Sequence, residues 1–187
     1  GTGCAIITNQ GAYPDPRGEG KAYFSQIALH DDRFLPEFER IAGYIHDAGG
    51  IAIQQILHAG RYGGIDLGYC VQPSVVPQTL PHFRPPREIT REQIRQTIKE
   101  HAEAAVRSVK AGFDGTEVTS FMGYLLATFN SRFTNQRTDE YGGSTENRGR
   151  FMRELIDAME DNYSKWRTRE GIKNLPEFGG EQPPPEQ

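Results

Sequence analysis

The stretch Asp47-Ala48-Gly49-Gly50-Ile51-Ala52-Ile53-Gln54-Gln55-Ile56-Leu57-His58 decides how this chain folds. It reads as the end of a helix, a two-glycine stop, and a buried strand that turns polar as it finishes. Upstream, Leu35, Phe38, Ile41, Ala42 and Ile45 fall on one helical stripe behind a capping aspartate at Asp31 or Asp32, which predicts a helix to about Ala48. Before it lie a short apolar strand, Cys4-Ala5-Ile6-Ile7-Thr8, and a loop rich in Gly, Pro and aromatic residues from Asn9 to about His30. Downstream the order repeats. A proline-rich loop from Ala59 to about Ile89 ends at Thr90, which opens a capping box with Gln93, and Ile94, Ile98, Ala102, Ala105 and Val109 then recur at helical spacing. Ala111-Gly112-Phe113-Asp114-Gly115 turns into a third strand, Thr116-Glu117-Val118-Thr119. A third long loop, from Ser120, closes at Ser144, which caps a helix running to about Met159.

The two helix-to-strand turns are tiny, and both place Ala-Gly at the helix end, whereas all three strand-to-helix loops are long. In a β/α barrel the loops after the strands build the active site, and the opposite face needs only tight turns. An open doubly wound sheet would want a glycine-rich phosphate turn after its first strand, and neither GxGxxG nor GxxxxGK[ST] occurs. The expected fold is therefore α/β, a partial TIM (β/α)8 barrel of about three βα units. A whole barrel needs about 250 residues, more than the 187 present. Residues 1–160 are expected to form the partial barrel. Residues 161–187 read as a polar, proline-rich, poorly ordered tail, with a short helix from Tyr163 to Arg169 as the alternative.

The formal net charge of −4 and the scatter of basic residues argue against a nucleic-acid partner. There is neither an apolar run long enough to span a membrane nor a charged-then-apolar leader, so a cytoplasmic location is the default expectation. The start at Gly1, without an initiator Met, reads as a cut. Cys4 and Cys70 are too few for a disulfide framework, and the five histidines lack metal spacing, so no metal site is expected.

His58-Ala59-Gly60-Arg61 stands where a strand enters a long loop, a barrel's place for ligand contacts. Alternation puts Gln54 and Gln55 on opposite sides of the strand, so one amide faces inward and must find a protein partner or a ligand. Tyr124 follows the third strand; a phenol, with a reference pKa of about 10, carries its proton at neutral pH and can act as a general acid. Packing is the alternative role. Asn135, Arg137, Asp139, Glu146, Asn147 and Arg148 form a polar cluster better suited to capping a helix and pinning a loop than to chemistry.

With these residues in view, the chain resembles the Old Yellow Enzyme-like NAD(P)H:flavin oxidoreductases, in particular the branch holding 2,4-dienoyl-CoA reductases and 2-enoate reductases. The resemblance rests on Gln55-Ile56-Leu57-His58-Ala59-Gly60-Arg61-Tyr62, on Ala111 to Gly115 leading into Glu117-Val118, on Gly123-Tyr124-Leu125-Leu126, and on Thr134 to Ser144 with Glu146-Asn147-Arg148. It implies an FMN over the mouth of a TIM barrel, reduced by NAD(P)H, and hydride transfer to the β-carbon of an activated alkene. It further implies that Gln55 hydrogen-bonds the flavin pyrimidine edge and that Tyr124 protonates the α-carbon. His58, Arg61, Thr119 and Met122 are then pocket residues, His58 and Arg61 as site walls.

Thr119 and Met122 stand where many relatives carry a pair of hydrogen-bonding side chains for the substrate carbonyl. A thioether cannot donate a hydrogen bond, so polarisation of the substrate must come from another group. The first barrel strand, a later flavin arginine and the phosphate site are outside this stretch, as are the iron–sulfur and second nucleotide domains of larger relatives. An iron–sulfur cluster would thus belong only to a missing C-terminal part. The expected partner is a small α,β-unsaturated substrate, with a homo-oligomer or the missing half of the barrel covering exposed strand edges. The competing reading is a catalytically inert barrel module acting through a partner.

Overall fold

In the computed structural model, which describes residues 3–78 and 84–171, three parallel strands form one sheet in the order β1 (Ile6–Ala12), β2 (Ile51–Ile56), β5 (Gly115–Val118). The helices that follow them are α1 (Leu35–Asp47), α2 (Arg91–Lys110) and α5 (Arg150–Arg169). These are the three expected βα units of a partial barrel. β1 runs further than the apolar signal at Cys4–Thr8, because its polar second half still pairs with β2, Asn9 with Gln54 and Ala12 with Ile56. That register skips a residue, and the bulge falls on Gln10–Gly11.

Strand register sorts side chains to two faces. Ile7, Ala52, Ile56 and Val118 join Phe38, Ala42, Ile45, Ile94, Ala102, Ala105 and Phe113 in the core between sheet and helices. The other face carries Ile6, Thr8, Ile51, Ile53, Gln55, Gly115 and Glu117, with Ile6 59% and Ile51 43% exposed. α1 and α2 stop at glycines with positive φ, Gly49 and Gly112. The turn into β5 is pinned by Asp114, whose carboxylate accepts from the Ala52 N–H at 2.8 Å and meets His46 Nε2 at 2.8 Å. α2 opens with the complete Thr90–Gln93 capping box.

Three expectations are corrected. The loop after β2 holds a second small parallel sheet, β3 (Cys70–Gln72) with β4 (Pro86–Glu88). The loop after β5 holds a helix, α3 (Leu125–Asn130), whose Leu125, Leu126 and Phe129 are buried. The last helix begins with a single turn, α4 (Thr145–Arg148), capped by Ser144, and α5 runs on to Arg169 rather than stopping near Met159. Its last turns keep an inward face, because Tyr163 is buried and its ring meets Trp166 at 6.1 Å. α5 thus takes in the helix from Tyr163 to Arg169 that was the alternative reading, and residues 172–187 of the expected tail lie outside the described residues.

Candidate active site at the strand ends

Parallel pairing of β2 with β5 sets Gln55 beside Glu117 and Ile56 beside Val118, so the loops leaving both strands start side by side. Thr119 N–H donates to the Ile56 carbonyl at 3.1 Å, extending the ladder into the loops. Gln54 is the amide on the helix side: it is fully buried, accepting from Asn9 Nδ2 at 2.8 Å and donating to the carbonyls of Gln10 and Gln55. Gln55 is the amide on the face that none of the described helices covers. Its Nε2 donates to Glu117 Oε1 at 2.7 Å, and its Oε1 lies 2.8 Å from where a side chain on Gly11 would begin.

The two loops are then locked together. Ala59 leads into a 3₁₀ turn, Gly60–Tyr62, and Gly60 takes φ +55° with its α-carbon so close to α3 that a Cβ would stand 2.7 Å from the Leu125 backbone. Any other residue meets both a clash and an unfavourable backbone there. Leu125 N–H donates to the His58 carbonyl at 3.2 Å. Tyr124 caps α3 at the end of a tight turn in which its N–H returns to the Phe121 carbonyl at 3.0 Å, with Met122 at φ 53° and Gly123 at φ 78°. Non-glycine residues rarely occupy that region. The Tyr124 ring is wedged edge-on between Tyr62, 5.9 Å away, and Phe121, 5.8 Å away.

The remaining expected pocket residues divide. Met122 is 67% exposed on that turn. Thr119 is 2% exposed, and its buried Oγ1 has no hydrogen-bond partner among the described residues. Arg61 lies partly buried with its guanidinium carbon 5.7 Å from the Tyr62 ring centroid; its Nε is buried without a partner, and it forms no ion pair among the described residues. His58 departs from a site-wall position, because its side chain is only 2% exposed. Backbone in front of it closes it in: the Gly60 N–H donates to its Nδ1 at 3.2 Å, and a side chain on Gly20 would touch its ring.

Behind His58 lies a buried polar group that the motif did not signal. His101 of α2 stacks on it at 6.4 Å and 15°, and Nδ1 of His101 bonds the Thr97 carbonyl at 2.8 Å. Burial holds both imidazoles below their ordinary pKa, His101 down to about 4. Around them Arg17 bonds Glu100 through both terminal nitrogens and Glu19 through Nε, while Asp15 accepts from the N–H groups of Glu19 and Gly20. The spacing of His101 from Ile94 and Ile98 put it on the inward stripe of α2, which was the available signal.

The polar cluster of the third loop is a staple. Arg137 bonds the carbonyls of Pro73 and Ile89, Glu88, and both oxygens of Asp139, tying the β3–β4 loop to the loop that carries Tyr124. Asn135 Nδ2 donates to the Phe129 and Tyr141 carbonyls at 2.8 Å each. Arg137 holds the Asp139 carboxyl below its ordinary pKa.

This arrangement can be set beside known proteins. Residues 1–169 match the NADH:flavin oxidoreductase / NADH oxidase family, and the chain belongs to it. Among solved structures it is similar to 2-naphthoyl-CoA reductase in complex with 2-naphthoyl-CoA, at 34% identity and a TM-score of 0.80 over 84% of this chain and 26% of that one. It is also similar to morphinone reductase in complex with tetrahydroNAD, at 27% identity and a TM-score of 0.76 over 84% of this chain and 48% of that one. The chain thus spans between about a quarter and a half of the length of these structures. No helix among the described residues is long and apolar enough to cross a membrane.

The family's flavin has a matching group here. A flavin pyrimidine edge alternates acceptors with an N–H donor, and one primary amide supplies both complements. Gln55 presents such an amide on the uncovered face, its Oε1 over the Gly11 backbone.

Proposed function

We propose that this chain is the second-to-fourth βα portion of an FMN-dependent NAD(P)H oxidoreductase of ene-reductase type, with Gln55 on the flavin pyrimidine edge and Tyr124 as the proton donor. The observation that carries the proposal is the junction of Gly60 with Leu125, which fastens the loop after Gln55 to the loop holding Tyr124. Hydride transfer onto the alkene β-carbon is the chemistry that FMN supplies when bound.

The protein's part is binding, orientation and the proton. Gln55, whose Nε2 donates to Glu117, would hold the ring edge through its amide. Tyr124, held between Tyr62 and Phe121, delivers its phenolic proton to the substrate α-carbon. Met122 has no donor for the substrate carbonyl, and Arg61, which has no carboxylate partner among the described residues, is the cation that polarises it. The substrate class supported is an alkene conjugated to an acyl group, in keeping with the acyl-thioester complex of the 34%-identical reductase.

The test is turnover of NAD(P)H with an α,β-unsaturated acyl substrate in the presence of FMN. Tyr124→Phe keeps the ring contacts and lacks the proton, so kcat falls about 10²- to 10⁴-fold while flavin affinity is unchanged. An unaltered kcat removes Tyr124 from the chemistry, and absence of wild-type turnover overturns the proposal for this chain.

A further inference from the structure

We propose that His58 is a positioning residue for Tyr124: as the neutral Nε2–H tautomer it clamps the Gly60 turn against the first residue of α3 and so fixes where the phenol stands. The inference rests on the reading of Tyr124 as proton donor, but its geometry is independent of that reading.

Two hydrogen bonds of His58 lie one on each side of the junction. Its ring Nδ1 faces the Gly60 N–H at 3.2 Å, and its main-chain carbonyl accepts the Leu125 N–H at 3.2 Å. An N–H can only donate, so Nδ1 must carry a lone pair, and a neutral ring then carries its proton on Nε2. That Nε2 is buried and has no partner among the described residues. A buried donor left unpaired is unfavourable, so the ring is held in this tautomer against the preference of its own Nε2.

The junction leaves no slack. A Cβ on Gly60 would reach 2.7 Å from Leu125 N and Cα, and the next residue but one, Tyr62, meets the Tyr124 ring. A shift of the Gly60 turn therefore moves both the Tyr62 wall and the start of α3. Protonation of His58 would turn Nδ1 into a donor facing a donor and open the clamp. The groups around the imidazole pull in both directions: Asp15, Glu19 and Glu100 favour the cation, while burial and Arg17 oppose it, and the neighbouring His101 ring stacks on it. Burial is the largest influence, and it keeps the ring neutral.

The experiment is NMR on the isotopically labelled full chain, with no flavin and no turnover. Long-range proton–nitrogen correlations on His58 should show the Nε2–H tautomer. Asparagine places its carbonyl oxygen where Nδ1 stands, whereas glutamine places it one bond further out. Amide exchange at Gly60 and Leu125 should therefore stay within about threefold of wild type in His58→Asn and rise at least tenfold in His58→Gln and His58→Leu. Exchange in the middle of α2 should be unchanged, and the Tyr62–Tyr124 ring contact should survive only in His58→Asn. An Nδ1–H tautomer in the wild type, or equal exchange in the Asn and Gln variants, overturns the proposal. If His58→Leu fails to fold, the contrast between Asn and Gln still decides. A Tyr124→Phe variant with full turnover would refute the proton-donor reading alone, leaving the clamp to be judged by these spectra.

Discussion

His101 sits 1% exposed within α2, with one ring nitrogen committed to the Thr97 carbonyl and its face against His58. Folded His101 binds a proton less tightly than unfolded His101, with a pKa lowered from 6.5 to about 4. Between those values the unfolded chain takes up the extra proton, so stability is full above pH 6.5 and falls as the pH drops towards 4. The displacement is worth about 3 kcal/mol, and His58, lowered in the same direction, adds to it. Urea titrations of wild type and His101→Gln at pH 7 and pH 4 should show the wild type losing more stability by roughly that amount; equal losses would contradict the assignment. At this scale sequence pattern was informative where period and face coincide. Alternation separated Gln54 from Gln55, and helical spacing gave α2 its inward stripe, on which His101 lies although the stripe was read from its apolar members alone. It was uninformative where a contact joins distant segments, as in the burial of His58 under Gly20 and Gly60, since no local periodicity encodes what covers a loop.

Among the elements, the long ones were legible because many residues repeat one signal. α2 begins at its capping box and carries its apolar stripe to Val109. β3 and β4 span three residues each, and β4 starts at Pro86, so neither offers a pattern; they form because Arg137 draws Pro73 and Ile89 to one guanidinium. α5 outruns its apolar pattern because Tyr163 and Trp166 extend the inward face past Met159. The staple at Arg137 has a measurable weight. Its side chain is 4% exposed and serves Asp139, Glu88 and two carbonyls, so Arg137→Ala should destabilise the chain by about 3–5 kcal/mol in urea unfolding. Lysine keeps the charge but cannot reproduce the planar fork, so Arg137→Lys should recover little of that loss. A change below about 1 kcal/mol for alanine would mean that the two loops are held by other contacts.

At the scale of the molecule, the described helices leave one sheet face uncovered, and that face carries Gln55 and Glu117 among Ile6, Ile51 and Ile53. The barrel was legible chiefly from loop lengths, because long loops at one end and short turns at the other record which end does the chemistry, and its partial extent from the 187 residues. The two functional sides of the site meet through the β2–β5 pairing, the Gly60–Leu125 contact, the Tyr62–Tyr124 ring contact and the Arg137 staple, which the sequence does not display. The central claim is that the uncovered face holds a flavin edge through Gln55. It is tested most directly by titrating FMN into the 187-residue chain and following flavin fluorescence, with Gln55→Ala alongside. Saturable binding in the micromolar range, weakened about tenfold by the substitution, is the predicted result. No saturable binding, or an affinity indifferent to Gln55, would contradict it.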